Sequence, residues 1–142
     1  MCLFTKQNKP KVSEKPITMY KFLVRDRNII NSYITPCTLD IVPNDILKGE
    51  RLFEASVDEN IVAGLQFNSV GKGYIHGYST KKYALQKRHT YSKYFSHWGL
   101  FKCEIPAGTP YFRSVVGDYE ICAKKIKFVE LVEEYNDKST KL

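Results

Sequence analysis

Between residues 60 and 103 the chain has no aspartate and no glutamate, yet it carries Lys72, Lys81, Lys82, Lys87, Arg88, Lys93 and Lys102. The same window holds all three histidines (His76, His89, His97), the single tryptophan and five of the ten tyrosines. Outside it, the remaining 15 Lys and Arg balance all 15 Asp and Glu, so the formal charge of +7 is the charge of this window. A field gathered in one stretch attracts anions. Lysines interleaved with tyrosines suit phosphates held by cations and bases stacked on rings. The alternative is a solvated helix face lying over packed tyrosines.

Within the window, GYIHGYST (residues 73–80) puts His76, Ser79 and Thr80 at a strand end, just before a helix start. Amides at such a start favour anions. His76, Ser79, Thr80, Lys81, Lys82, Lys87 and Arg88 are therefore the candidate anion-binding residues. A plain helix cap beside a hydrogen-bonded histidine is the alternative. Asp118 and Glu120 flank Tyr119 at a turn. Residues two apart on a strand share a face, so the two carboxylates can polarise a hydroxyl or hold a sugar, or else mark a solvent-facing hairpin end. The residues call for no metal and no cofactor. There is no HExxH, GxSxG, phosphate-loop, zinc or dinucleotide spacing, which favours binding over catalysis.

The elements that must position these residues follow from local pattern. Residues 1–15 are polar around Pro10 and read as a flexible arm; 16–132 read as one domain; 133–142 read as a frayed tail. Strands are expected over 17–24, 29–34, 51–57, 74–78, 100–105 and 109–116. A further strand is expected over 119–131, with a break at Lys124-Lys125 that a bulge would explain. Thr80 or Ser79 caps a helix over about 81–89, and residues 70–73 form a turn. Strands, one modest helix, then more strands predict a small, mostly antiparallel α+β domain with one or two short helices.

No run of about 20 apolar residues is present, which argues against a membrane span. The N-terminus lacks the apolar stretch of a signal peptide, so a cytoplasmic location is expected. Cys2, Cys37, Cys103 and Cys122 are too dispersed for a zinc site, and in that compartment they are expected as free thiols.

Three segments together, TPCTLDIVPNDILKGERLFEAS, GYIHGYSTKKYALQ and CEIPAGTPYFRSVVGDYEICAKKIKF, resemble a group of small phage, prophage and gut-bacterium proteins of unknown function. That resemblance covers about two thirds of the chain and implies a phage- or mobile-element-associated module. The order Tyr20-Lys21, Tyr78-Ser79-Thr80, Ile105-Pro106-Ala107-Gly108 and Asp118-Tyr119-Glu120 is also similar to the ADP-ribosyltransferase-like fold. That likeness implies NAD as ligand, with Ser79 supporting the nicotinamide pocket and Glu120 holding a ribose hydroxyl, in an active or a catalytically silent relative. Lys21 stands where that family has an arginine and lacks its planar fork. Two functions are thus expected in order: a binding module whose basic, tyrosine-rich surface meets an anionic partner (nucleic acid, nucleotide or acidic protein), and an NAD-binding or ADP-ribosyltransferase-like protein.

Overall fold

A computed structural model describes residues 3–25, 33–36, 40–56, 59–115 and 119–137 of the chain. In order, its elements begin with β1 (Leu3–Thr5), β2 (Lys11–Val12), β3 (Ile17–Val24), β4 (Tyr33–Ile34), β5 (Ile41–Val42), α1 (Asn44–Leu47), β6 (Phe53–Glu54), β7 (Ile61–Val62) and β8 (Asn68–Val70). They continue with β9 (Ile75–Tyr78), α2 (Lys81–Gln86), α3 (Arg88–Tyr94), β10 (His97–Ile105), β11 (Pro110–Arg113), β12 (Glu120–Ala123) and β13 (Lys125–Asn136). Every strand pairing is antiparallel. The protein is a small, mostly antiparallel α+β domain, as expected, with three short helices among the described residues where one or two were expected.

The main sheet runs β2-β11-β12-β9-β3-β10-β13-β6, with β4 and β5 branching from β3; β1, β8 and β7 make a second, three-stranded sheet. Alternation along β3 explains how the main sheet is covered. Phe22 and Val24 point to one face, where Trp98, Leu100 and Tyr78 join them under Ala84 of α2. Met19 and Leu23 point to the other, among Phe101, Cys103, Ile105 and Ile121, beneath Tyr33, Val42 and Ile46 from β4, β5 and α1. The Trp98 indole donates to the Ser92 hydroxyl at 3.0 Å and so ties α3 to β10.

Several expectations change. Residues 3–12, read as a flexible arm, contribute β1 and β2, and Leu3 is 1% exposed beside Val70 and Phe112. The segment has few apolar residues, so its pattern is thin; its strands are held by pairing with β8 and β11. The tail read as frayed from residue 133 remains in β13 through Asn136, where Asn136 faces His97. The single helix over 81–89 is two helices, because the chain turns at Lys87. The break at Lys124-Lys125 falls where expected, but it is a change of partner: β12 lies between β11 and β9, whereas β13 moves across the sheet to β10. The register shifts lie instead within the β10–β13 ladder, at Leu100/Phe101 and Lys102/Cys103. Only Tyr33 and Ile34 of the strand expected over 29–34 fall among the described residues.

One contact controls the relation of the two halves of the sheet. Strands β3 and β9 pair only through Tyr20 and Tyr78, and Gly77 sits beside that pair. A methyl added at Gly77 would overlap the Met19 side-chain methyl and lie 2.7 Å from the Tyr20 carbonyl oxygen. Backbone cannot give way cheaply in a packed interior. Gly77→Ala is expected to lose about 1–3 kcal/mol in denaturant unfolding, the usual range for overpacking; an unchanged midpoint would show that β3 and β9 are not locked here.

A cleft where the main sheet opens

Strand β9 runs antiparallel to β3, so Ile75, His76 and Gly77 would continue the ladder opposite Leu23, Phe22 and Lys21. They do not pair. The strands part beyond Tyr20 and Tyr78, and a cleft of about 500 Å³ opens between them. This lies within the ~300–1,000 Å³ range of small-molecule sites. Its aromatic walls come from Phe22, Phe53, Tyr74, Tyr78 and Tyr91, its polar groups from Lys21, Thr35, Asp40, Glu54 and His76, and one lip from the turn at residues 71–73. Half of this lining, from Gly71 to Tyr78 with Tyr91, belongs to the acid-free window.

A chain of hydrogen bonds spans the opening. The Lys21 ammonium donates to the His76 carbonyl at 2.8 Å. The His76 Nε2 lies 2.9 Å from the Gly71 carbonyl, which requires the tautomer with its proton on Nε2. Burial drives the His76 pKa down to about 4; the Gly71 bond opposes that shift and the nearby Lys21 charge adds to it. His76 is therefore neutral at pH 7. Facing it, Tyr91 stacks on Phe22 with ring centres 4.0 Å apart. The hydroxyls of Tyr78 and Tyr91 are hydrogen-bonded, and burial raises the Tyr78 pKa. Tyr74 is fixed at the lip by Glu59, 3.4 Å from its hydroxyl, and by the Lys124 ammonium 4.4 Å from its ring centre. Burial, then Glu59, pushes its pKa up to about 12.

The residues singled out from the sequence divide. His76 lines the cleft; Ser79, Thr80, Lys81, Lys82, Lys87, Arg88 and Glu120 are not among its lining residues. The Ser79 amide donates to the Tyr119 carbonyl at 2.9 Å. The Thr80 hydroxyl caps α2 by accepting from the Tyr83 amide at 3.1 Å, as expected of a cap. Lys81 and Lys82 are exposed on the first turn. Lys87 lies over the Tyr83 ring at 5.0 Å, and that ring stacks on Tyr119 at 4.5 Å. Arg88 is committed to Glu133, with contacts of 3.0 and 3.2 Å. Glu120 is paired in register with Tyr78. It thus adjoins a cleft wall, while Ser79 lies just past the end of β9. Asp118 lies outside the described residues.

Lys21 is the cleft residue that charge counting passed over. Its signal is present in the sequence: in ITMYKFLV it occupies the phase of Met19 and Leu23, an inward position where a lysine needs a reason. It is 8% exposed. Tyr91 and Thr35 carry no comparable signal. Cys103 and Cys122 are free buried thiols whose pKa values burial raises. Among the described residues no group of three His, Cys, Asp or Glu is placed to hold a metal ion, and no helix is long and apolar enough to cross a membrane. No protein-family model, curated protein or solved structure matches the chain.

His76 makes a pH prediction. Its folded pKa lies below the ordinary value of 6.5, so the unfolded chain binds the extra proton more readily. The stability linked to neutral His76 is complete above pH 6.5 and drains away as pH falls toward 4, by up to about 3 kcal/mol. Denaturant unfolding at pH 7.5, 6, 5 and 4.5 should show this loss in the parent and a clearly smaller one in His76→Gln. Parallel curves would mean that His76 is not buried neutral.

Proposed function

We propose that this protein is a small binding domain that takes an anionic, aromatic small molecule of the nucleotide class in the cleft between β3 and β9. The observation that carries the reading is Lys21: a buried ammonium brought, by the parting of two strands, into a cavity walled by aromatic rings. An ammonium in a low-dielectric site interacts more strongly with an anion than one in water. Flat rings suit a base, and polar groups few in number fix its orientation. In this reading the anionic partner sits in the cleft, and exposed Lys81 and Lys82 add a longer-range attraction. The buried free thiols accord with a reducing cytoplasmic setting, and the likeness to small phage and prophage proteins with a module that works by binding.

A second reading is favoured by one feature of the topology. Three of the four segments similar to the ADP-ribosyltransferase-like fold reach β3, β9 and β12, which are neighbours in the sheet, and the fourth begins at the end of β10. Tyr78 is in register with Tyr20 on one side and Glu120 on the other. In this reading the ligand is NAD, Lys21 replaces the arginine, Ser79 supports the nicotinamide pocket and Glu120 holds the ribose.

Calorimetric titration with the common nucleoside monophosphates and NAD separates the readings. Binding that weakens roughly tenfold or more in Lys21→Met, with the fold retained by circular dichroism, is expected, since a charge-assisted hydrogen bond contributes ~1.5–3 kcal/mol. Equal affinity in parent and Lys21→Met would refute the role of Lys21. Under the first reading Glu120→Gln leaves binding intact and the parent does not consume NAD; NAD turnover abolished in Glu120→Gln would establish the second.

A further inference from the structure

The turn at residues 71–73 is pinned from several sides. Asn60 makes two backbone bonds to it, accepting from the Gly71 amide at 2.8 Å and donating to the Lys72 carbonyl at 3.0 Å. His76 holds the Gly71 carbonyl at 2.9 Å. The next residue, Tyr74, is fixed by Glu59 and Lys124. Gly73 takes φ +87°, a left-handed conformation that costs glycine nothing. Yet among the described residues the amides of Lys72 and Gly73 donate to no backbone or side-chain acceptor. Gly73 is buried, and both residues line the cleft. Buried backbone donors are paired in the great majority of proteins. Two successive amides without a partner among the described residues, one of them on buried Gly73, sit on a glycine turn with a lysine between the glycines, an arrangement that makes an anion-binding concavity.

We propose that this turn is the phosphate-holding element of the cleft, so that the ligand is a nucleoside phosphate whose phosphoryl group meets the amides of Lys72 and Gly73 and the Lys72 ammonium. The inference rests on the cleft reading and sharpens it. Asp40 and Glu54, the carboxylates of the cleft, come from other segments and repel phosphate there. Lys72 is exposed and enters no ion pair among the described residues. The bond set that holds the turn is independent of any ligand, so the amides need no rearrangement to bind.

Calorimetry on the intact chain with AMP, GMP, CMP and UMP, each beside its nucleoside, tests the proposal. At least one monophosphate is expected to bind roughly tenfold or more tightly than its nucleoside, as charge-assisted bonds to phosphate require. Lys72→Ala should bring that ratio down several-fold while changing nucleoside affinity less than about twofold. Because Gly73→Ala would be strained at its positive φ, amide ¹⁵N–¹H shifts of Lys72 and Gly73 in the unmodified chain provide the second measurement. Inorganic phosphate and the monophosphate should move both. If a monophosphate binds more tightly than its nucleoside but Lys72→Ala keeps the ratio, or the two amides do not shift, the turn does not hold phosphate while the cleft reading survives. If nucleoside and monophosphate bind equally, both the turn and the anionic reading of the cleft fail. If neither nucleosides nor monophosphates bind, the cleft reading itself fails.

Discussion

The structure depends on a single cross-strand pair, Tyr20 with Tyr78, and on what the chain does beyond it. A continued β3–β9 ladder would give an unbroken sheet with Lys21 buried and no use for its charge. The ladder stops after one pair instead. Lys21 then reaches across the gap to the His76 carbonyl, replacing with one side-chain bond the backbone bonds that the parted strands forgo. A buried ammonium needs compensation. The His76 carbonyl dipole supplies part of it. The opening of the sheet, the polarity of the cleft and the burial of His76 are thus consequences of one local decision in strand pairing.

The charge pattern shows how a fold can undo what a sequence separates. Residues 60–103 lack acids along the chain but not in space. Strand β13 lies against β10 and brings Glu130 opposite Lys102, Glu133 to Arg88, and Glu134 to His97 at 2.7 Å. Surface pairs of this kind contribute little to stability. They nevertheless neutralise much of the window's field on that side of the molecule. What is left is Lys72, Lys81, Lys82, Lys87 and Lys93, and of these only Lys72 is among the residues lining the cleft. A basic stretch was legible in the sequence; its division into a neutralised flank and a remainder was not, because the acids lie 28 to 45 residues away in sequence.

Legibility varied with the kind of signal. β-Branched and aromatic content identified β3, and alternation at Ile126 and Phe128 identified the start of β13, where buried and exposed residues alternate. The cap at Thr80 and the turn at 70–73 were readable because hydroxyl and glycine chemistry is local. The two N-terminal strands were not, since β2 has exposed Lys11 and Val12 and is defined by its partner β11. The split at Lys87 was hidden because no proline or glycine marks it. The lining of the cleft was legible in part: His76, singled out in the sequence, is among the lining residues, but it was grouped with Ser79 and Thr80, which follow it in sequence. The fold instead groups it with Lys21 and Gly71.

That regrouping changes what His76 is for. A neutral imidazole with one nitrogen on a carbonyl and its own carbonyl under an ammonium is a brace between two walls. Its protonation would place a second positive charge beside Lys21 in a poorly hydrated space, a combination that low dielectric penalises strongly. The brace therefore works because the histidine does not titrate in the neutral range. Lysine, histidine and glycine turn form one hydrogen-bonded series from β3 to the lip of the cleft. The same bonds that keep the sheet open also hold the 71–73 turn in place. Geometry at the lip is thereby inherited from the core rather than set by a free loop, and positions inherited in this way lose little freedom on binding.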